Sequence, residues 1–223
     1  FVLSKRPGNA YWAEPVQNGD EFAFRIHKGI CPEGKATNKV GSAGAKFQCP
    51  ACGDLATDDY VKKAGQQHRL GMQLMAVVGT DADKKVYFEP DAVQIRACEL
   101  PKPDDLPAGS ISTNAHWFSP PGFGLTEYAD LFTARQLEML TAFCNLIPQV
   151  VDKVASDALA VGMSDSSGSL ANGGNGALAY GQAVGTYLAL AVSKMTTYHS
   201  TICTWNNQSE NARAGKNGQA NPK

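Results

Sequence analysis

Two stretches of helical periodicity, residues 133–162 and 176–206, constrain the fold of this chain more than any other feature. In the first, Leu137, Leu140, Cys144, Ile147, Val151, Val154 and Ala158 recur at steps of three and four. In the second, Ala177, Ala183 or Val184, Tyr187, Leu188, Ala191, Met195, Tyr198 and Ile202 follow the same rule. Such spacing lines apolar side chains along one face of an α-helix. The segment between them, 163–175, is rich in Ser, Gly and Asn. It is short and pliable enough to join the two as a long antiparallel helical hairpin. Pro148 removes a backbone donor inside the first helix, which predicts a kink there.

The N-terminal part differs in kind. Residues 1–6, 11–16 and 21–27 read as short strands, with Gly8-Asn9 and Asn18-Gly19-Asp20 as turns. In the third strand Phe22, Phe24 and Ile26 alternate with Glu21, Ala23 and Arg25, which gives one buried face. Residues 28–46 are rich in Gly and Lys, lack periodicity and read as an irregular loop. Thr57, followed by Asp58 and Asp59, caps a short helix. Residues 69–78 run into a strand that pairs with 85–89 across a turn at 80–84, and 91–100 form another short helix. Pro101, Pro103 and Pro107 then break the chain. In the loop at 108–125, Trp117, Phe118 and Phe123 read as packing anchors, the commoner case, set against a nucleic-acid stacking platform, with His116 adding little. The expected architecture is α+β: a strand-rich part bearing a cysteine knuckle (1–100), a Pro/Gly-rich connection (101–132), the helical hairpin (133–206) and a disordered tail (207–223).

Charge narrows the function classes. Twenty basic and 21 acidic residues give a net charge of −1, which argues against nucleic-acid binding through bulk charge alone. The balance is uneven, because residues 1–70 hold ten Lys/Arg against seven Asp/Glu. Lys62, Lys63 and Arg69 are the candidate phosphate-facing cations, set against the commoner case of a solvated charged face. No apolar run is long enough for a membrane span, and no signal-peptide layout opens the chain. Six cysteines are too sparse for a disulfide scaffold at this length, so a reducing cytoplasmic setting is expected. Cys144 and Cys203 fall near apolar helix positions and read as core thiols.

Cys49-Pro-Ala-Cys52-Gly carries the most chemistry. A turn of this kind presents two thiolates to one metal ion, with amides folded back onto the sulfurs and the glycine relieving a tight backbone. Tetrahedral zinc needs four ligands, and a zinc ribbon supplies them as two such turns. Here there is one. Cys31, Cys98, His27 and His68 are the remaining donors, none at the spacing of a second knuckle. A redox pair lacks its βαβ context, and two unliganded thiols in a turn is the plain alternative. Paired carboxylates, a nucleophile elbow and a phosphate-binding glycine loop do not occur, nor does the Asp-Pro-Pro-Tyr by which amino-methylating enzymes hold a flipped base. No catalytic residue is assigned.

Several stretches taken in order carry a resemblance. They are Phe1-Val-Leu-Ser-Lys-Arg-Pro-Gly, Trp12-Ala-Glu-Pro, Cys31-Pro-Glu-Gly, Phe47-Gln-Cys-Pro-Ala-Cys-Gly and Arg69-Leu-Gly-Met-Gln-Leu-Met-Ala-Val-Val. Tyr128-Ala-Asp-Leu-Phe-Thr-Ala-Arg-Gln-Leu, the most distinctive, is followed by Ala183-Val-Gly-Thr-Tyr-Leu-Ala-Leu-Ala-Val and Ser200-Thr-Ile-Cys-Thr-Trp205. The set resembles the middle region of large adenine-specific DNA methylases with an internal zinc ribbon, found in bacterial and archaeal genomic and defence islands. That resemblance implies a parent enzyme that uses S-adenosylmethionine, acts on DNA and works beside other components of a defence system. It implies that the cofactor turn lies upstream and the Asp-Pro-Pro-Tyr motif downstream. The second cysteine pair would lie just before the position of Phe1, so only Cys49 and Cys52 carry over as zinc ligands. The alternative from another class is a stand-alone zinc-ribbon module that binds nucleic acid or protein.

Overall fold

The computed structural model describes residues 1–19, 21–114, 118–165 and 168–207. Asp20, His116, Trp117 and the tail beyond Asn207 lie outside the described residues. The protein is an α+β mixture of small antiparallel sheets and one pair of long helices. It divides into two compact units. The first comprises Phe1–Glu99, Gly109–Tyr128 and the chain from Thr204 on; the second comprises Leu100–Ala108 and Ala129–Cys203.

In the first unit, strands β1 (Val2–Arg6), β2 (Asn9–Asn18) and β3 (Glu21–Lys28) form an antiparallel meander in the order β1-β2-β3. The register pairs Tyr11 with Ser4 and Lys28, and Ala13 with Ile26, while a bulge between Val2 and Ser4 turns Leu3 inward. Leu3, Tyr11, Ala13 and Tyr87 form the core, with Phe24, Ile26, Met75 and Ala76 packed around it. The alternation in the third strand is thus the buried face of this sheet. Past Trp205, whose indole N–H donates to Leu3 O (2.7 Å), the chain returns to β1, where Lys5 N donates to Asn207 O (2.9 Å).

A two-stranded ribbon, β4 (Phe47–Gln48) with β5 (Leu55–Ala56), carries the cysteine turn and leads into α1 (Asp58–Gln66). Thr57 caps that helix by accepting from Tyr60 N. Strands β6 (Val77–Asp81) and β7 (Lys84–Phe88) form a second hairpin. Ala82 and Asp83 both adopt positive φ there (43° and 66°), the left-handed geometry of tight hairpin turns. The strand expected from residue 69 begins only at Val77, because β7 offers five partners and no more. Upstream of it Leu70 and Met72 stay exposed, and only Met75 and Ala76 reach the core. Helix α2 (Ala92–Arg96) starts at a capping box between Asp91 and Gln94. Two glycines bring α1 against the 3₁₀ turn Pro120–Phe123: a Cβ on Gly65 would stand 2.1 Å from Phe123 O.

The second unit holds α3 (Ala134–Ala160) and α4 (Ala177–Thr196), which pack together. Thr133 and Gln136 cap α3 reciprocally, and the helix runs on through Pro148. Leu137 (1% exposed), Leu140 and Ala158 are buried, whereas Cys144, expected in the core, is exposed. Helix α4 ends about three turns early by the measure of 3.6 residues per turn, at a run of polar residues whose hydroxyls bond backward. Thr196 and Thr197 donate to Ser193 O and Lys194 O (both 2.8 Å).

The face that α4 presents to α3 also differs from expectation. Tyr187 is 75% exposed, while Ala177, Gly181 and Gly185 are buried. The contact stripe is made of small residues, spaced by four, which let two backbones approach closely. Phe143, Leu146, Leu159, Tyr180, Tyr187 and Leu190 remain exposed on the two helices.

Candidate metal centre

Cys49 and Cys52 sit in the turn joining β4 to β5, and the backbone closes that turn from both sides. Cys49 N donates to Asp54 O (2.8 Å) and Gly53 N to Cys49 O (2.9 Å). Gly53 supplies a φ of +79°, which a residue with a Cβ adopts only under strain. The Gln48 side chain adds a bond from Nε2 to Gly53 O (3.2 Å).

The preceding loop buttresses the ribbon. Gln48 N donates to Asn38 O (2.8 Å), Asn38 Nδ2 to Gln48 O (3.2 Å) and Val40 N to Lys46 O (2.8 Å). Asp58 ties the same loop to α1, because its carboxylate accepts from Ala45 N (2.6 Å) and pairs with Lys62. These contacts hold the Asp58 carboxyl below its usual range, chiefly through Lys62 and then the Ala45 amide.

The two thiols are not equivalent. The amides of Cys52 and Ala51 and the Cys52 thiol all bond to Cys49, so its pKa falls below the ordinary value. At Cys52 the Asp54 amide pulls downward, but the bond to Cys49, burial and the Asp54 carboxylate outweigh it, and its pKa rises. Of the two, Cys49 is the thiol whose deprotonation the turn favours. Amides aimed at a sulfur are the arrangement that stabilises a metal-bound thiolate. In the metal-free chain, pH-resolved iodoacetamide labelling is therefore expected to give Cys49 the lower midpoint, despite its lesser exposure. A lower midpoint for Cys52 would contradict the assignment.

The other candidate donors do not join this pair. His27 stacks on Trp12 (centroids 4.2 Å apart, planes at 15°), and its Nε2 meets Glu14 Oε2 at 2.9 Å. Cys31 bonds to Pro32 O, Cys98 is half-buried, and His68 is an exposed residue with φ +53° just past α1. Among the described residues no three of His, Cys, Asp and Glu are grouped to hold a metal ion. Two thiolates suit a zinc ion but supply half its tetrahedral set.

Of the expected phosphate contacts, Lys62 is committed to Asp58 and lies 5.8 Å from the Phe123 ring. Arg69 holds Gln67 Oε1 through two nitrogens (3.0 and 2.8 Å) and covers Tyr60 at 6.0 Å. Lys63 is exposed.

One cluster beside the knuckle loop has no linear signature. Glu14 accepts from Lys35 Nζ (2.7 Å) as well as meeting His27, and Lys35 lies 5.6 Å from the Trp12 ring. Lys35 first, and then His27, hold the Glu14 carboxyl below its usual range. The effect is a clasp that fixes residues 31–38 over β2. Only the pairing of Trp12 with His27 across two strands would have exposed it in advance. Among the described residues no helix is long and apolar enough to cross a membrane. Comparison with protein-family models, with curated proteins and with solved structures finds no match for this chain.

Proposed function

We propose that this chain is a non-catalytic region of a DNA methyltransferase, with the Cys49–Cys52 turn as one half of a zinc ribbon. The parent enzyme would move a methyl group from S-adenosylmethionine to the exocyclic amine of adenine, on a base flipped into a pocket contributed elsewhere. The observation that carries the metal half of this reading is the turn itself: two cysteines three residues apart in a hairpin turn that Cys49 N and Gly53 N close, with the Ala51 and Cys52 amides directed at the Cys49 sulfur. The enzyme half rests on the ordered motifs from Phe1 to Trp205.

The start of β1 supports the same reading. The Phe1 nitrogen donates to Ala13 O (2.7 Å) and Lys35 O (3.3 Å), and Asn38, three residues on, accepts from Gln48 beside Cys49. By chain geometry Phe1 then lies within about 20 Å of the knuckle. A cysteine pair just upstream would arrive beside the first and complete the tetrahedron. Zinc would there bind the two turns together and hold the strand-rich part in shape.

The helix pair fits an internal scaffold. Gly181 faces Val151 and Ala155, and Gly185 faces Val151 and Ile147, so contacts advance along α4 as they retreat along α3. That progression supports an antiparallel hairpin. Its exposed Phe143, Tyr187 and Leu190 suit a surface covered by other parts of a larger enzyme.

The test is transfer of labelled methyl groups from S-adenosylmethionine to duplex DNA by the full translation product of the gene. N6-methyladenine is expected, with activity lost in Cys49→Ser/Cys52→Ser. A product that leaves adenine unmodified rejects the methyltransferase reading.

A further inference from the structure

We propose that Arg6, Lys28 and Lys85 form a phosphate clamp that holds the backbone of duplex DNA at the β1–β2 turn end of the sheet. This deepens the proposed function and rests on its DNA partner, but it uses neither the metal nor the cations expected from the sequence.

The register brings the three together. Arg6 pairs with Asn9, and Tyr11, two residues along, pairs with Lys28. Residues opposite one another, and residues two apart on a strand, share a face. Arg6, Asn9, Tyr11 and Lys28 therefore lie on the face that receives the β6–β7 hairpin. The hairpin is fixed there by Asn9 Nδ2 donating to Lys85 O (2.7 Å) and by the Tyr11 and Tyr87 rings, 5.1 Å apart. Lys85 stands two residues before Tyr87 and so projects from the same side of β7. From strand spacing and rise, the Cα atoms of Arg6 and Lys28 are about 12 Å apart. Long cationic side chains span that gap.

All three residues are exposed. Among the described residues none of them enters an ion pair, in contrast to Lys35, Lys62, Lys102 and Lys153. Neighbouring carboxylates are directed elsewhere. Asp81 stands opposite Lys84 in the strand register, on the other face of the hairpin, and Asp83 occupies its turn. Glu14 is held on the other face of the sheet by Lys35, and Glu89 accepts from Ile26 N. Buried Asn9 makes the site rigid, since its side chain bridges the sheet to the hairpin. Three unneutralised cations on a rigid frame match a polyanion whose charges repeat regularly. No base-reading group accompanies them, so the clamp positions DNA without selecting sequence.

The experiment measures duplex binding by the full chain as a function of salt. The probe is a fluorescent DNA duplex of mixed sequence. The variant R6Q/K28Q/K85Q is compared with K102Q/K153Q/K194Q, which removes equal charge from the other unit. Because each phosphate contact contributes about 0.9 to the slope of log K against log salt, the clamp variant should lose about two to three units of slope. The comparator should lose less than about one. Circular dichroism checks that both variants fold. Duplex binding with the same slope in wild type and clamp variant overturns the clamp and leaves a DNA role standing. Binding to phosphatidylserine vesicles without duplex binding overturns it too. So does failure to bind duplex at low salt, and methyl transfer by the longer protein is then decided separately by its own assay.

Discussion

Gly181→Ala is expected to destabilise the helical unit by about 1–3 kcal/mol, the usual cost of overpacking a closely fitted contact. Taken alone, the substitution should help, because alanine is favoured over glycine in a helix by about 1 kcal/mol. The neighbouring helix reverses the sign. A Cβ at position 181 would stand 2.5 Å from Val151 O and 3.3 Å from Ala155 N, both backbone atoms that cannot rotate away. Gly185 has the same problem in milder form, with its nearest obstacle the Val151 side chain at 2.4 Å. Gly181→Ala should therefore cost more than Gly185→Ala, and the double variant more than either. Urea unfolding followed by helical circular dichroism measures all three. If Gly181→Ala raises the midpoint, α4 does not approach α3 through this glycine seam.

Gly124→Ala should have an effect of similar or greater size, about 3 kcal/mol when left-handed backbone strain and overpacking are combined. Gly124 has φ +81°, and a Cβ there would meet Gly65 O at 2.3 Å and Gln66 N at 2.9 Å. The contact is reciprocal, since a Cβ on Gly65 meets Phe123 O. The nearest obstacles on both sides are backbone atoms that cannot swing aside, so α1 must lift from the Pro120–Phe123 turn. Because Asp58 of α1 also holds Ala45 of the knuckle loop, the damage should spread. Hydrogen exchange would show faster exchange at α1 amides and at Ala45. Unchanged protection at α1 would mean that the two glycines do not bear on each other.

These glycines show where the sequence was readable and where it was not. The alternation of Phe22, Phe24 and Ile26 located a sheet face, and the Thr57 cap located a helix start, because each signal is local. Helical periodicity located α3 and α4 but misphased α4. The reading followed large apolar side chains to Tyr187, whereas contact is made where side chains are smallest. Gly181 and Gly185, four apart, were the available signal. Cys144 was misassigned for the same reason: position on a periodic stripe does not ensure that a neighbour covers it.

At the candidate site, the cysteine turn was legible because it sits within five consecutive residues. The inequality of Cys49 and Cys52 was not, since it depends on which amides the turn directs at which sulfur. The clasp of Glu14, His27 and Lys35 and the placement of Arg6 and Lys28 on one face of the sheet depend on strand register, which composition does not encode. Lys62, singled out by its neighbours in sequence, pairs with Asp58 one helical turn away, a contact the sequence reading did not include.

Zinc content per chain tests the central claim most directly, measured by elemental analysis on this chain and on one extended N-terminally by about 30 residues, a length set by two-knuckle ligand spacing. The account predicts about one zinc per extended chain, well under one in this chain, and loss of metal from the extended chain in Cys49→Ser. Stoichiometric zinc in this chain alone would contradict it, because an internal donor would then complete the site. Absence of zinc from both would contradict it as well, and would leave Cys49 and Cys52 as two thiols in a turn.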